Sequence, residues 1–336
     1  MNMDISQYAV RPEEIDPLSA SQISNFFRRH KFVTKEECND AAASIAGSPV
    51  SPTLIHGSTS YTVTAGTKTI QFRHSALNLE VMEQARKTYG RFVPICKSRG
   101  MLAEVHVYEM DLVPGVAFSR ARRQLVSPGM EERLLRTVQD FARFFASAWL
   151  ARLAPEPDLD RVVEIHSHYS GILVRLSQRL PARFLPRLNK LREELPLLLR
   201  PGYPLVLNHD DLLEMNIHVD KDTGRITGIV DWADARIAPF GTSLGALEAV
   251  LGVETSSLWL YHPNHEYHEY LRNKFWETFY EATGGITDDD RRTMEAARLF
   301  GLFRTYGFDR RPENYDAKPV TEGDQGFVCL EAFCLR

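Results

Sequence analysis

The stretch that most constrains this chain is residues 205–234, LVLNHDDLLEMNIHVDKDTGRITGIVDWAD. It opens with an apolar strand, Leu205-Val206-Leu207, followed by a polar knot of Asn208, His209, Asp210 and Asp211. Ile217-His218-Val219 and Ile226-Thr227-Gly228-Ile229-Val230 read as two more strands. The turn between them, Lys221-Asp222-Thr223-Gly224, has a glycine free to take positive φ. Antiparallel pairing, with strands about 4.8 Å apart, would return Asn216 and Asp231 to one end of the ribbon. Asp211 lies one short loop upstream. Three oxygen donors are therefore expected to converge: Asp211, Asn216 and Asp231. Hard oxygen ligands, few in number, suit Mg²⁺ held between protein and phosphates. A carboxylate outside the metal shell suits a hydroxyl or amine about to attack phosphorus.

At 336 residues the chain is long enough for two domains or one two-lobed unit. Forty basic and 44 acidic side chains leave a net charge of −4, so charge makes no case for nucleic acid or an anionic membrane. The four cysteines, Cys38, Cys96, Cys329 and Cys334, have no metal-like spacing and read as reduced thiols. The polar, acidic N-terminus has no signal-peptide pattern, and no apolar run approaches a membrane span. A cytoplasmic location is therefore expected.

Upstream, residues 19–33 and 34–45 read as helices, the second opening on Thr34-Lys35-Glu36-Glu37. They form an extension packed on the domain after them. Thr53-Leu54-Ile55, Tyr61-Thr62-Val63-Thr64 and Thr69-Ile70-Gln71-Phe72-Arg73 read as strands. The loop between the first two, Gly57-Ser58-Thr59-Ser60, is small and rich in hydroxyls, and the third strand ends in a cation. Loop N–H groups and hydroxyls can fold over phosphates, and Arg73 can pair with them. A helix over 76–89 and strands at 92–95 and 103–110 come next, and the turn Leu112-Val113-Pro114-Gly115 marks the best domain boundary. Past it, helices are expected at 130–153, 242–251, 265–283 and 288–305, and Phe327-Val328-Cys329-Leu330 is expected to dock on the larger lobe. Arg175, Arg179, Arg183 and Arg187 recur every four residues and read as a solvated face, with a groove for an acidic partner as the alternative. The histidines at 262, 265 and 268 read as exposed side chains rather than zinc ligands.

His209-Asp210-Asp211-Leu212-x-x-x-Asn216, followed by Gly228-Ile229-Val230-Asp231-Trp232, resembles the catalytic loop and metal-binding Asp of the aminoglycoside phosphotransferase/choline kinase-like family. The resemblance implies an α+β, two-lobed protein-kinase-like fold, with a small antiparallel β N-lobe and a larger, mainly helical C-lobe. It divides the chain into an N-terminal helical extension (1–50), a nucleotide-binding N-lobe (51–112) and a C-lobe with the catalytic loop and acceptor site (113–336). The family reads His-Gly-Asp where this chain has His-Asp-Asp, and the spacing to Asn216 assigns the base to Asp211. The family places Lys where this chain has Arg73, whereas its fungal-type branches read Gln-Phe-Arg, which Gln71-Phe72-Arg73 resembles. By the same likeness one of Glu80 and Glu83, which share a helix face, would pair with Arg73, Glu83 being chosen as nearer mid-helix, and the 108–111 hinge, Met110 included, would offer backbone groups to an adenine ring.

The expectation is an enzyme, a small-molecule kinase using ATP and Mg²⁺ to phosphorylate a hydroxyl or amine of a small acceptor, with no nucleic-acid or membrane partner. Asp211 would take the proton, and His209 would brace the loop. Asn216 and Asp231 would hold Mg²⁺, while Gly57, Ser58, Thr59, Ser60 and Arg73 would position the phosphates. A protein kinase would carry a long activation segment after Asp231. Here residues 232–241 are short, which favours a small acceptor. Two alternatives stay open: an inactive kinase-like module that binds nucleotide, and an enzyme that phosphorylates a metabolite only to activate it.

Overall fold

Alternation along 60–65 sorts the first hairpin into an apolar and a hydroxyl face. The computed structural model describes residues 17–57, 59–127, 129–152, 159–255, 258–262, 265–310 and 317–335. Its chain divides into two compact units: a small one running to Leu125 and taking in Glu214–Ala233, and a large one holding Val126–Leu213 and the chain from Asp234 onward. The boundary read from the sequence, near residue 112, falls before α4 (below), which belongs to the small unit.

In chain order, the small unit begins with α1 (Pro17–Arg29) and α2 (Lys35–Ala46). Helix α2 starts where expected because Thr34 and Glu37 form a reciprocal capping box. Strands β1 (Val50–Pro52), β2 (Ser60–Ala65), β3 (Lys68–Arg73), β4 (Cys96–Leu102) and β5 (Val105–Asp111) form an antiparallel sheet of order β1-β2-β3-β5-β4. Tyr61, Val63, Ile70, Phe72, Val105 and Val107 line its apolar face, and α1, α2 and the link between them cover it with Phe26, Val33, Cys38 and Ala42. The N-terminal helices are thus part of this lobe's core.

Two strand expectations fail locally. Residues 53–55 are not a strand, since the Thr53 hydroxyl lies 3.1 Å from both Ile55 O and His56 Nε2 and closes a local turn. In place of a strand at 92–95, a 3₁₀ turn at Gly90–Phe92 precedes β4, whose exposed polar residues gave no alternation to read. Helix α3 (Leu79–Tyr89) is capped by Asn78, which accepts from the N–H groups of Glu80 and Val81. Strand β6 (Val116–Ala117) and helix α4 (Phe118–Leu125) end this passage.

The large unit opens with α5 (Glu131–Leu150), α6 (Leu159–Arg179) and α7 (Leu185–Glu194), then β7 (Leu205–Asn208). The chain returns to the small unit for the hairpin of β8 (Ile217–Val219) and β9 (Ile226–Ile229), which joins β6 in a three-stranded ribbon. Gly115 has φ 83°, and a Cβ there would overlap the Val219 carbonyl, so the Pro114-Gly115 turn must be glycine to lie against β8.

Beyond Ala233 the large unit resumes with β10 (Arg236–Pro239), antiparallel to β7, then α8 (Leu247–Leu251) and the short pair β11 (Gly252–Glu254) and β12 (Trp259–Tyr261). Helices α9 (His265–Thr283), α10 (Asp288–Tyr306) and α11 (Gln325–Cys334) complete it. Phe141 and Phe145 of α5 pack on Phe275 of α9. Helices α6, α7, α10 and α11 share a second core, which contains Phe327, Cys329 and Leu330 as expected.

The arginine series divides. Arg179 is exposed, as a solvated face requires, whereas Arg175 donates to the Ala317 carbonyl and Arg183 binds Glu322 and Glu331, so these two side chains fasten the C-terminal segment to the helices. His262 and His268 are buried rather than exposed, with His268 stacked 4.1 Å from Tyr261; the His265 side chain lies outside the described residues.

Candidate active site

In the large unit, β7 delivers Asn208 into a web that closes the base of the 209–213 loop. Its amide donates to the Val206 and Ala238 carbonyls at 3.1 Å and accepts from Ser243 Oγ at 2.8 Å. His209 is buried, and its Nδ1 accepts from the Asp211 N–H at 3.3 Å. The Asp211 carbonyl in turn accepts from the Leu213 N–H at 3.0 Å. Asp211 itself is half-buried.

Asp210 is held from the side. Arg304, in the last turn of α10, donates from both guanidinium nitrogens to its two carboxylate oxygens at 2.9 and 2.7 Å, and Arg236 Nε of β10 lies 3.3 Å away. Helix α10 comes close enough because residue 301 is glycine, where a Cβ would overlap the Thr242 carbonyl. His209, Asp211, Thr242, Glu254, Arg304 and Tyr306 are among the residues lining a cavity of about 580 Å³ in this unit.

Asp234, Glu248, Trp259 and Tyr261 do not line this cavity. Glu248 is buried and bound by both guanidinium nitrogens of Arg272 at 2.8 Å. Burial alone would raise its carboxyl, but the Arg272 hydrogen bonds and the charges of Arg272 and Arg298 outweigh that and hold it below the ordinary value. Trp259 packs on Phe333 and Tyr261 on His268.

In the small unit, the hairpin does what its pattern requires. Ile217 pairs with Ile229, and the Val230 N–H donates to the Asn216 carbonyl at 2.9 Å, so Asn216 and Asp231 flank the same open end. Asp231 has φ 63°, in the left-handed region that a non-glycine residue enters at a cost. That turn leaves its carboxylate 47% exposed. Arg73, at the end of β3, is buried, and its guanidinium stops 4.0 Å short of Asp231 Oδ1. Gln71, two residues earlier on the same face, accepts from Arg73 at 3.4 Å and donates to Ser60 Oγ and Thr62 Oγ1 at 3.2 and 3.3 Å.

The remaining candidates are less gathered. Gly57 and Thr59 are exposed, Ser60 is buried with its hydroxyl on Gln71, and Ser58 lies outside the described residues. The expected pairing of Glu83 with Arg73 is not made. Glu83 is exposed and binds Lys87 one turn away, while Arg73 turns toward Asp231. Met110 sits inside the sheet, opposite Thr69 on one side and Cys96 on the other. The next two N–H groups, of Asp111 and Leu112, donate to the Ile95 and Thr67 carbonyls. The sequence reading quoted Gln71 without giving it a role, and missed Arg236 and Arg304. The two-residue spacing of Gln71 and Arg73 was a usable signal, whereas nothing local linked Arg304 to a residue 94 positions earlier.

Comparison with known proteins adds a family and a fold. No curated protein matches the chain. Among solved structures, a protein described as an aminoglycoside phosphotransferase from Ralstonia eutropha is 15% identical, with a TM-score of 0.51, over 81% of this chain and 86% of its own. A choline/ethanolamine kinase family protein from Mesorhizobium loti is 14% identical over 80% and 85%, with a TM-score of 0.48. The first of these agrees with the two-lobed α+β architecture of a protein-kinase-like fold. The model of the phosphotransferase enzyme family matches residues 79–272, more than half of the chain, a stretch that includes 209–231 but begins after Arg73. On that match the chain belongs to the phosphotransferase enzyme family.

Proposed function

We propose that this phosphotransferase moves the γ-phosphate of ATP, with Mg²⁺, to a hydroxyl or amine of a small molecule. The observation that carries the reading is the open end of the β8–β9 hairpin, where an exposed carboxylate in strained backbone stands beside an amide residue and a buried arginine.

The donor set fits Mg²⁺. Among the described residues, no three His, Cys, Asp or Glu side chains gather as a metal site. A cation at Asn216 and Asp231 would therefore take one amide, one carboxylate and further oxygens from phosphate and water, the shell Mg²⁺ favours. When bound it would neutralise phosphate charge. The protein's own groups position and compensate, since phosphoryl transfer asks little covalent chemistry of them. Asp211 orients the acceptor and takes its proton, and His209 holds the loop carrying Asp211. Arg73, steadied by Gln71, meets phosphate with a planar fork where Lys would offer a point charge. Gly57, Ser58, Thr59 and Ser60 cover the phosphates, and Met110 borders the base. On this reading residues 51–112 serve the nucleotide and 113–336 carry the catalytic loop and acceptor site, in a cytoplasmic enzyme.

Among the described residues no helix is long and apolar enough to cross a membrane. One observation favours a second reading, a nucleotide-binding module without turnover: Arg73 in place of Lys.

The test is phosphate transfer from Mg·ATP to pooled amino alcohols, sugars, hydroxylated indoles and aminoglycosides. Turnover should fall at least about 10³-fold in Asp211→Ala and in Asp231→Ala, and only Asp231→Ala should also weaken Mg·ATP binding. Wild-type protein that neither binds Mg·ATP nor transfers phosphate would refute the proposal. Transfer that survives Asp211→Ala would refute only the choice of base.

A further inference from the structure

Asp210 occupies the position between His209 and the proposed base, and its carboxylate is largely shielded from water. A carboxylate removed from water must be matched by cations and hydrogen bonds, or it is costly. Two elements far apart in sequence supply them: Arg304 from α10, with two hydrogen bonds, and Arg236 from β10. On the next residue, the N–H of Asp211 is held by His209 Nδ1. The peptide joining 210 and 211 is therefore gripped on both sides, by the Arg304 fork through one side chain and by His209 through one N–H.

We infer that Arg304 is a positioning residue: through Asp210 it sets the orientation of the loop that presents the Asp211 carboxylate. The inference rests on the reading of Asp211 as the base, and it adds a residue which that reading does not contain. Arg304 also lines the cavity beside Asp211, so a direct contact with the acceptor is the competing account. The two accounts differ in what Asp210 does. If Arg304 acts through Asp210, removing either partner removes the same effect. If Arg304 touches the acceptor, Asp210 is a bystander.

The experiment compares Asp210→Asn, Arg304→Met, Arg304→Lys and the double variant Asp210→Asn/Arg304→Met. The double variant removes both charges of the fork together and leaves only the partly exposed Arg236 without this carboxylate, so it remains informative if a single variant folds poorly. Amide hydrogen exchange in the full-length protein reads the loop directly. Exchange at 209–213 should quicken in Arg304→Met and in the double variant, with strand β9 unchanged. In turnover, kcat should fall about 10- to 100-fold with the acceptor KM nearly constant, as for a misplaced rather than a missing group. The double variant should be no worse than the worse single, and Arg304→Lys should recover part of the loss. Wild-type exchange at 209–213 in the double variant would overturn the inference. So would additive losses, or a rise in KM alone. The exchange measurement needs no turnover, so a failure of Asp211 as base is distinguishable from a failure of the brace.

Discussion

Each unit carries one aspartate–arginine pair near a residue proposed for the chemistry, and the two pairs are built differently. Asp210 and Arg304 in the large unit are joined by two hydrogen bonds, with side chains 10% and 7% exposed. Asp231 and Arg73 in the small unit stand 4.0 Å apart, with the carboxylate 47% exposed and its backbone in the left-handed region. A closed, dry pair leaves neither partner available and works as a fastener. An open pair, with a cation and an anion each within reach but not bonded, leaves both able to meet another charge. The chemistry proposed for the two matches that difference: Asp210 would orient a loop, while Asp231 and Arg73 would meet metal and phosphate.

The sharpest way to break the comparison is stability. Arg304→Met should cost about 3 kcal/mol in urea unfolding, because it takes both hydrogen bonds of the fork from a shielded carboxylate and leaves it only Arg236. Arg73→Met should cost under about 1 kcal/mol, since the half-exposed Asp231 is served by water. Equal losses would erase the distinction. Gly301→Ala comes next, at about 2 kcal/mol, because an added methyl meets the Thr242 carbonyl and must push α10 outward. It should also quicken exchange at 209–213, and a destabilised variant with a quiet loop would separate α10 from the brace. Third, Arg73→Met should weaken Mg·ATP binding about tenfold in calorimetry, with Arg73→Lys between it and wild type, while Asp210→Asn leaves that affinity alone.

The smallest effect concerns pH. Glu248 is another closed carboxylate of the large unit, held below its ordinary value by Arg272 and Arg298 despite burial. The unfolded chain therefore takes up this proton before the folded one does. The stability the group contributes is present above an ordinary value of about 4.5 and is lost as the pH falls below it. Glu248→Gln should flatten the acid limb of stability against pH, and an unchanged limb would place the acid sensitivity elsewhere.

Much of the fold was legible because it rests on local period. The β2–β3 hairpin, α2 with its capping box, and α9 and α10 announce themselves in alternation, caps and apolar stripes. Strand β4 did not, because an exposed edge strand of polar residues carries no periodic burial. Pairings across long separations were also hidden. Arg183 with Glu322 and Arg304 with Asp210 depend on how helices pack, and the tilt of a helix is not written in its own residues. For the same reason Glu83 read as a partner for Arg73 when it binds Lys87 instead.

The sequence by itself determined the hairpin and its two end residues, Asn216 and Asp231, since a turn of fixed length between alternating strands leaves one register. It determined which residues carry oxygen donors and cations, and where the family motif lies. Only the tertiary structure decided which charges are closed and which are open. That depends on distance and on access of water, and both are set by elements that meet from far apart in the chain. Asp210 and Asp231 are the same residue type, 21 positions apart in one stretch. Helix α10 shields one and bonds it, while a left-handed turn leaves the other in water.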